Sequence, residues 1–123
     1  MAGARYFREY SVWNEAVDDA TYVYEVTGQM LWFEKKCLCD HLQRAAVSIS
    51  SNIAEGAARS TDADFAHFLD FALGSAFEVE TQLMIAKNVG YLDEGHYHEM
   101  VKKLSSIERQ LNGLIKTIRN SYG

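Results

Sequence analysis

The residues best placed to do chemistry lie in RAAVSISSNIAEGAARS, Arg44 to Ser60. Arg44, Ser48, Asn52, Glu55 and Arg59 recur at spacings of four, four, three and four, which is one stripe of a helix. Ser75, Glu78 and Gln82, spaced three and four, make a second stripe further along. Buried amides and carboxylates must find partners, and Glu55 or Glu78 could accept from the Asn52 amide. Two readings of these residues stand. In the structural one, the stripes meet, within one protomer or across a subunit contact, and their polar groups fix register, as a buried Asn does in coiled coils. In the chemical one, paired carboxylates do acid–base work or bind metal. A di-iron bundle needs a Glu from each of two helices and Glu-x-x-His from the other two. The chain has no E-x-x-H; its nearest look-alikes are Glu94-Gly95-His96 and His96 with His98. No Gly-rich phosphate loop or nucleophile elbow occurs either. The structural reading is preferred, with no catalytic residue, metal or cofactor assigned.

Cys37, Cys39 and His41 spell C-x-C-x-H. Zinc sites usually space their cysteines by two to four residues and draw a second ligand pair from far away, and no second pair exists here. Two reduced thiols at the start of a helix are expected.

Helices must position these groups. Trp13, Ala16, Val17, Ala20, Val23, Tyr24 and Thr27 sit at helical spacing over residues 11–27, with Asp18 and Asp19 outside the stripe and Gly28 as a C-terminal cap. GQMLWFEKKC lacks a long period and reads as a loop anchored by Leu31, Trp32 and Phe33. A second helix is predicted from about Leu38 to Ala58. Thr61 with Asp64 resembles a capping box and opens a third helix, Asp62 to about Val89. Its apolar face is Phe65, Phe68, Leu69, Ala72, Ala76, Val79, Leu83 and Ala86, and Gly90 ends it. Asp93 can cap a fourth helix whose apolar set runs from Tyr97, Met100 and Val101 through Leu104, Ile107, Leu111, Leu114 and Ile115 to Ile118.

No strand pattern competes, and the chain has no proline to break a helix. The fold expected over residues 1–123 is a single all-α domain, an antiparallel up-down-up-down four-helix bundle. Charge alternates along it: net −4 over residues 1–34, +2 over 35–59, −7 over 60–99 and +4 over 100–123. Neighbouring antiparallel helices would then attract modestly, about 0–1 kcal/mol per exposed pair. The 48% hydrophobic content marks a globular chain. No apolar run approaches the ~20 residues of a membrane span, and MAGARYFREY lacks a secretory core, so the cytoplasm is the expected address.

The second helix is apolar on nearly every side. Ala45, Ala46, Ile49, Ile53 and Ala57 form one face, and Val47, Ala54 and Ala58 extend it. Such a surplus suggests a second contact surface, most simply another copy of the same chain. Gly56 beside Glu55 and Gly74 beside Ser75 would let backbones approach closely, offsetting the ~1 kcal/mol that a helical glycine costs against Ala.

SxxSNIAEG over 48–56, Arg59, and FxxFLxxAxGSAxExExQLxxAxxxGY over 65–91 resemble the family of 23S ribosomal RNA intervening-sequence proteins. VWNEAVDDATYVYEVT and LNGLIKTIRNS are similar to that family's opening and closing helices, so the likeness covers nearly the whole chain. The resemblance implies an antiparallel four-helix bundle that assembles into a ring-like homopentamer. Most members have no established biochemical role. A related branch serves as the accessory protein of diversity-generating retroelements, where a strongly basic pentamer binds nucleic acid and a reverse transcriptase. This chain has Ser50 where the family often has Pro, and its pI is near 5.3.

His98, Lys102, Arg109, Lys116 and Arg119 lie along one side of the fourth helix, with Lys102, Arg109 and Lys116 seven apart. A ring would repeat this stripe around its circumference. The bland alternative is a solvated helix face. The function expected is a non-catalytic homo-oligomeric accessory that binds RNA or DNA; the alternative is a scaffold that holds a protein partner and no nucleic acid.

Overall fold

The computed structural model describes residues 5–29 and 32–120. A 3-10 turn, Phe7–Glu9, leads into α1 (Ser11–Gly28), α2 (Trp32–Ala57), α3 (Asp62–Asn88) and α4 (Glu94–Asn120). The described residues are all-α and contain no strand. Each helix packs on the next, and α4 closes back on α1. Cross-seam partners fix the directions. Ser48 meets Ser75 and Gly56 meets Phe65 and Phe68, so α2 and α3 run antiparallel. Asp70 with Arg119 and Met84 with Tyr97 make α3 and α4 antiparallel. Ser11 with Gln110 and Tyr22 with Lys103 do the same for α1 and α4.

The ends of α3 and α4 follow from local chemistry. The Thr61 hydroxyl accepts from the Asp64 N–H at 3.1 Å, and Asp62 and Asp64 put negative charge on the first turn of α3. Gly90 stops the chain with φ +84, a left-handed conformation that costs glycine nothing. Asp93 Oδ1 then accepts from the His96 N–H at 2.7 Å and starts α4. That backbone bond, then contact with the His96 ring, holds the Asp93 carboxyl below its usual range.

The core is a column of fully buried side chains, with Val23 from α1, Leu42, Ile49 and Ile53 from α2, Leu69, Val79 and Leu83 from α3, and Met100, Leu104, Ile107 and Leu111 from α4. The faces predicted for α3 and α4 are the faces that pack; Phe68, Val101, Leu114 and Ile118 sit half-buried at the margins.

Two expectations fail. The segment read as a loop after Gly28 is helical from Trp32 onward. WFEKKCLCDHL contains no Gly or Pro, and Glu, Lys and Leu favour helix. Cys39 and Leu42 are buried one turn apart, so the core face of α2 begins earlier than expected. Leu31, and the side chains of the other two anchors, Trp32 and Phe33, lie outside the described residues. The α1 stripe is also rotated. Val12, Ala16, Asp19, Ala20, Val23, Val26 and Thr27 face inward, whereas Tyr24 is 51% exposed and Trp13 half-buried. A 3.6-residue period fits both stripes, and α4 packs against the one that includes an acid.

Candidate functional site

The two polar stripes meet at one point only. The Ser48 and Ser75 hydroxyls share a 2.9 Å hydrogen bond across the α2–α3 seam. Asn52 does not reach Glu55 or Glu78. Its amide donates back along α2, to the Ser48 carbonyl at 2.8 Å and the Ser48 hydroxyl at 2.9 Å. Four-residue spacing makes that acceptor local, and a local partner displaces a distant one. Glu55 and Glu78 are exposed, and Gln82 donates to Glu78 on its own helix at 3.3 Å while its buried Oε1 has no donor. Arg59 stacks its guanidinium 4.5 Å from the Phe68 ring, and Arg44 is exposed. So Ser48, Asn52 and Ser75 form a small structural cluster, and Glu55, Arg59, Glu78 and Gln82 are not gathered into it.

Gly56 explains how close the seam is. A Cβ built there would lie 2.7 Å from Phe68 Cβ and 3.0 Å from Phe65 Cδ1. Gly74 has nothing within 4 Å of the same construction and does not serve close packing. The turn beyond is clamped by Arg5, which donates to the Arg59 carbonyl at 2.6 Å, pairs with Asp62 and lies over the Phe65 ring.

Cys37 is exposed, Cys39 buried and His41 exposed, all well inside α2 rather than at its start. Among the described residues no three His, Cys, Asp or Glu side chains gather around a common point.

On α4, His98, Lys102, Arg109 and Lys116 are exposed. His98 Nε2 lies 3.7 Å from Glu94. Arg119 departs from the set, because its guanidinium forks onto the Asp70 carboxylate of α3. Lys102, Arg109 and Lys116 have no ion-pair partner among the described residues.

Two groups of exposed apolar side chains complete the surface. On α3, Phe77, Met84 and Ile85 border a groove beside Glu80 and Thr81, with Phe77 50% exposed. On the α1–α2 side, Tyr24 and Val47 flank a second groove floored by Val17 and Ala20.

Inside the α4 seams lie acids that the sequence stripes did not isolate. Asp19 is 1% exposed with no donor to either oxygen, and burial raises its carboxyl to about 7 against the lowering pull of Lys103. Glu108 on α4 faces Glu80 on α3; burial first, then that neighbour, raises it to about 7. The sequence reading put Asp19 outside the buried stripe of α1, and Glu108 carries no sequence signal of burial.

Residues 8–113 match the family model described as 23S rRNA-intervening sequence protein. The chain belongs to that family. Among solved structures the chain is similar to a crystal structure of a protein of unknown function from the S23 ribosomal protein family of Bacteroides thetaiotaomicron. It is 25% identical, covers 85% of this chain and 98% of its own, and superposes with a TM-score of 0.77. No curated protein matches this intervening-sequence protein. No described helix is long and apolar enough to cross a membrane.

Proposed function

We propose that this protein is a non-catalytic, cytoplasmic, homo-oligomeric accessory that binds RNA or DNA, with five copies in a closed ring. The observation that carries the binding reading is the line of exposed cations on α4, Lys102, Arg109 and Lys116, none of which is paired with an acid among the described residues. Free cations in a row suit a phosphate backbone, and repetition around an assembly multiplies a weak contact. Assembly is supported by the two apolar grooves. One is built on α3 and the other between α1 and α2, so they are different surfaces on different elements. A contact between unlike surfaces propagates head to tail and closes into a ring when the rotation permits.

A titration of the protein against RNA and duplex DNA at low salt tests the binding. Neutralising Lys102, Arg109 and Lys116 together should weaken binding across sequences, and each should reduce the log–log salt slope by about 1. Binding that is absent at low salt, or indifferent to all three changes, refutes the reading. Light scattering across a dilution series tests assembly, and a monomer at every concentration refutes it.

A second reading is a scaffold for a protein partner. It is favoured by the net charge of −5 and by the acid-bordered apolar groove on α3, which would repel polyanions.

A further inference from the structure

α4 is held on both sides by carboxyl groups that its neighbours do not satisfy. On the α1 side, Glu15 shows what a satisfied acid looks like there: Ser106 Oγ donates to it at 2.7 Å and Gln110 Nε2 at 2.6 Å. Asp19, one turn further on, is more deeply buried and receives no donor at all. The cation nearest in effect, Lys103 of α4, lies 5.1 Å from the Tyr22 ring centroid instead. Burial first, then the negative charges of Glu99, Asp93 and Glu25, hold the Tyr22 hydroxyl above its usual range. α2 brings no ionisable residue between Arg44 and Glu55, and both of those are exposed.

On the α3 side, Glu108 Oε2 is shut away from solvent with no N–H or O–H to meet it. The group it meets is the carboxyl of Glu80. Two carboxyls in that position cannot both ionise cheaply, and the cost falls on the buried one, Glu108. Residues one turn away on α4, Leu104, Ser105, Leu111 and Asn112, carry no charge to relieve them, and nor do Ala76, Phe77, Leu83 and Met84 on α3.

We propose that the seating of α4 between α1 and α3 is a proton-linked switch, closed when Asp19 and Glu108 hold their protons and loosened when they release them. The sign follows from linkage. Both carboxyls bind protons more tightly in the folded chain than in the unfolded one. Their stabilisation is therefore complete below the unfolded values and is lost as pH rises through about 7. Ionisation of Asp19 would draw Lys103 off Tyr22, and ionisation of the second carboxyl would push α4 from α3. The helix that moves is the one carrying the exposed cations, but the switch does not depend on what those cations bind.

The test is unfolding of the full chain from pH 4.5 to 8, at fixed protomer concentration, for wild type, Asp19→Asn, Glu108→Gln and the double variant. In wild type each carboxyl should raise the unfolding equilibrium constant by up to tenfold per pH unit between about 5 and 7. Each single variant should lose part of that slope, and the double variant should be flat. Amide exchange, corrected for intrinsic rate, should show α4 losing protection between pH 5.5 and 8 while α2 keeps it. Carboxyl-carbon titration of the wild type by NMR should place both midpoints near neutrality without any substitution. Midpoints near 4, an undiminished slope in the double variant, or equal loss of protection in α2 and α4 would overturn the proposal.

Discussion

Replacing Gly56 by Ala is the sharpest probe of how this bundle is held together. In an exposed helix the change should stabilise, since Ala is favoured over Gly by about 1 kcal/mol. At Gly56 the new methyl lands 2.7 Å from Phe68 Cβ, 3.0 Å from Phe65 Cδ1 and 3.3 Å from the Phe65 carbonyl oxygen. The nearest of these is the root of a side chain, fixed to the α3 backbone, so no rotamer change removes the clash. Carbon–carbon contacts are most favourable at roughly 3.5–4.0 Å, so α3 must retreat by about 1 Å along that stretch. Retreat loosens Phe65, which is buried, and opens the Ser48–Ser75 hydrogen bond one end further along. Overpacking of this kind costs about 1–3 kcal/mol. Set against the propensity gain, the net is destabilisation of up to about 2 kcal/mol, or a fall in Tm of roughly 8 °C for a domain near this size. Gly74→Ala is the internal control. It lies on α3 with open space around the added methyl and should stabilise by up to about 1 kcal/mol. Urea and thermal unfolding followed by circular dichroism, with all three proteins at one concentration, would compare them. If Gly56→Ala were as stable as Gly74→Ala, the close approach of α2 and α3 at this point would be wrong.

Other consequences are as direct. Thr61→Ala removes the hydroxyl that caps α3 and should cost about 0.5–2 kcal/mol, with Thr61→Ser restoring most of it, by urea denaturation. Asp93→Asn should lower Tm near neutral pH; because the folded carboxyl is held below its usual range, the deficit should shrink as pH falls through it. Arg119→Ala should change stability by less than about 1 kcal/mol, since the Asp70 pair lies at the surface, and added salt should erase the difference. Asp19→Asn should be more stable than wild type at pH 7.5 and lose that advantage near pH 4.5, because an amide in that site never has to discard a charge.

Where the chain signalled its structure, the signal was local and chemical. Thr61, Gly90 and Asp93 mark helix ends through hydroxyl, left-handed backbone and carboxylate, and each does that work in the structure. The apolar periods of α3 and α4 were readable because each repeats over many turns. The start of α2 was not, since Trp32 to Lys36 mixes apolar and charged residues in no single stripe and helix propensity decides it. The α1 stripe was ambiguous because two rotations of the same helix fit the same residues, and only packing against both α2 and α4 chooses the one that buries Asp19. Within one protomer the polar stripes meet only at Ser48 and Ser75, for a related reason. Spacing places Glu55, Glu78 and Asn52 on shared faces, but whether side chains on two helices touch depends on the rotation of both.

The cations of α4 also set a direction. Seven residues are slightly less than two turns of a 3.6-residue helix, so each step from Lys102 to Arg109 to Lys116 climbs about 10.5 Å and swings back by about 20°. Over about 21 Å the row therefore winds about 40° around the cylinder. A stiff polymer laid parallel to α4 would align with two of the three ammonium and guanidinium heads and drift away from the last. To engage all of them it must lie aslant, and copies set around a common axis would pass it along as a spiral rather than a hoop.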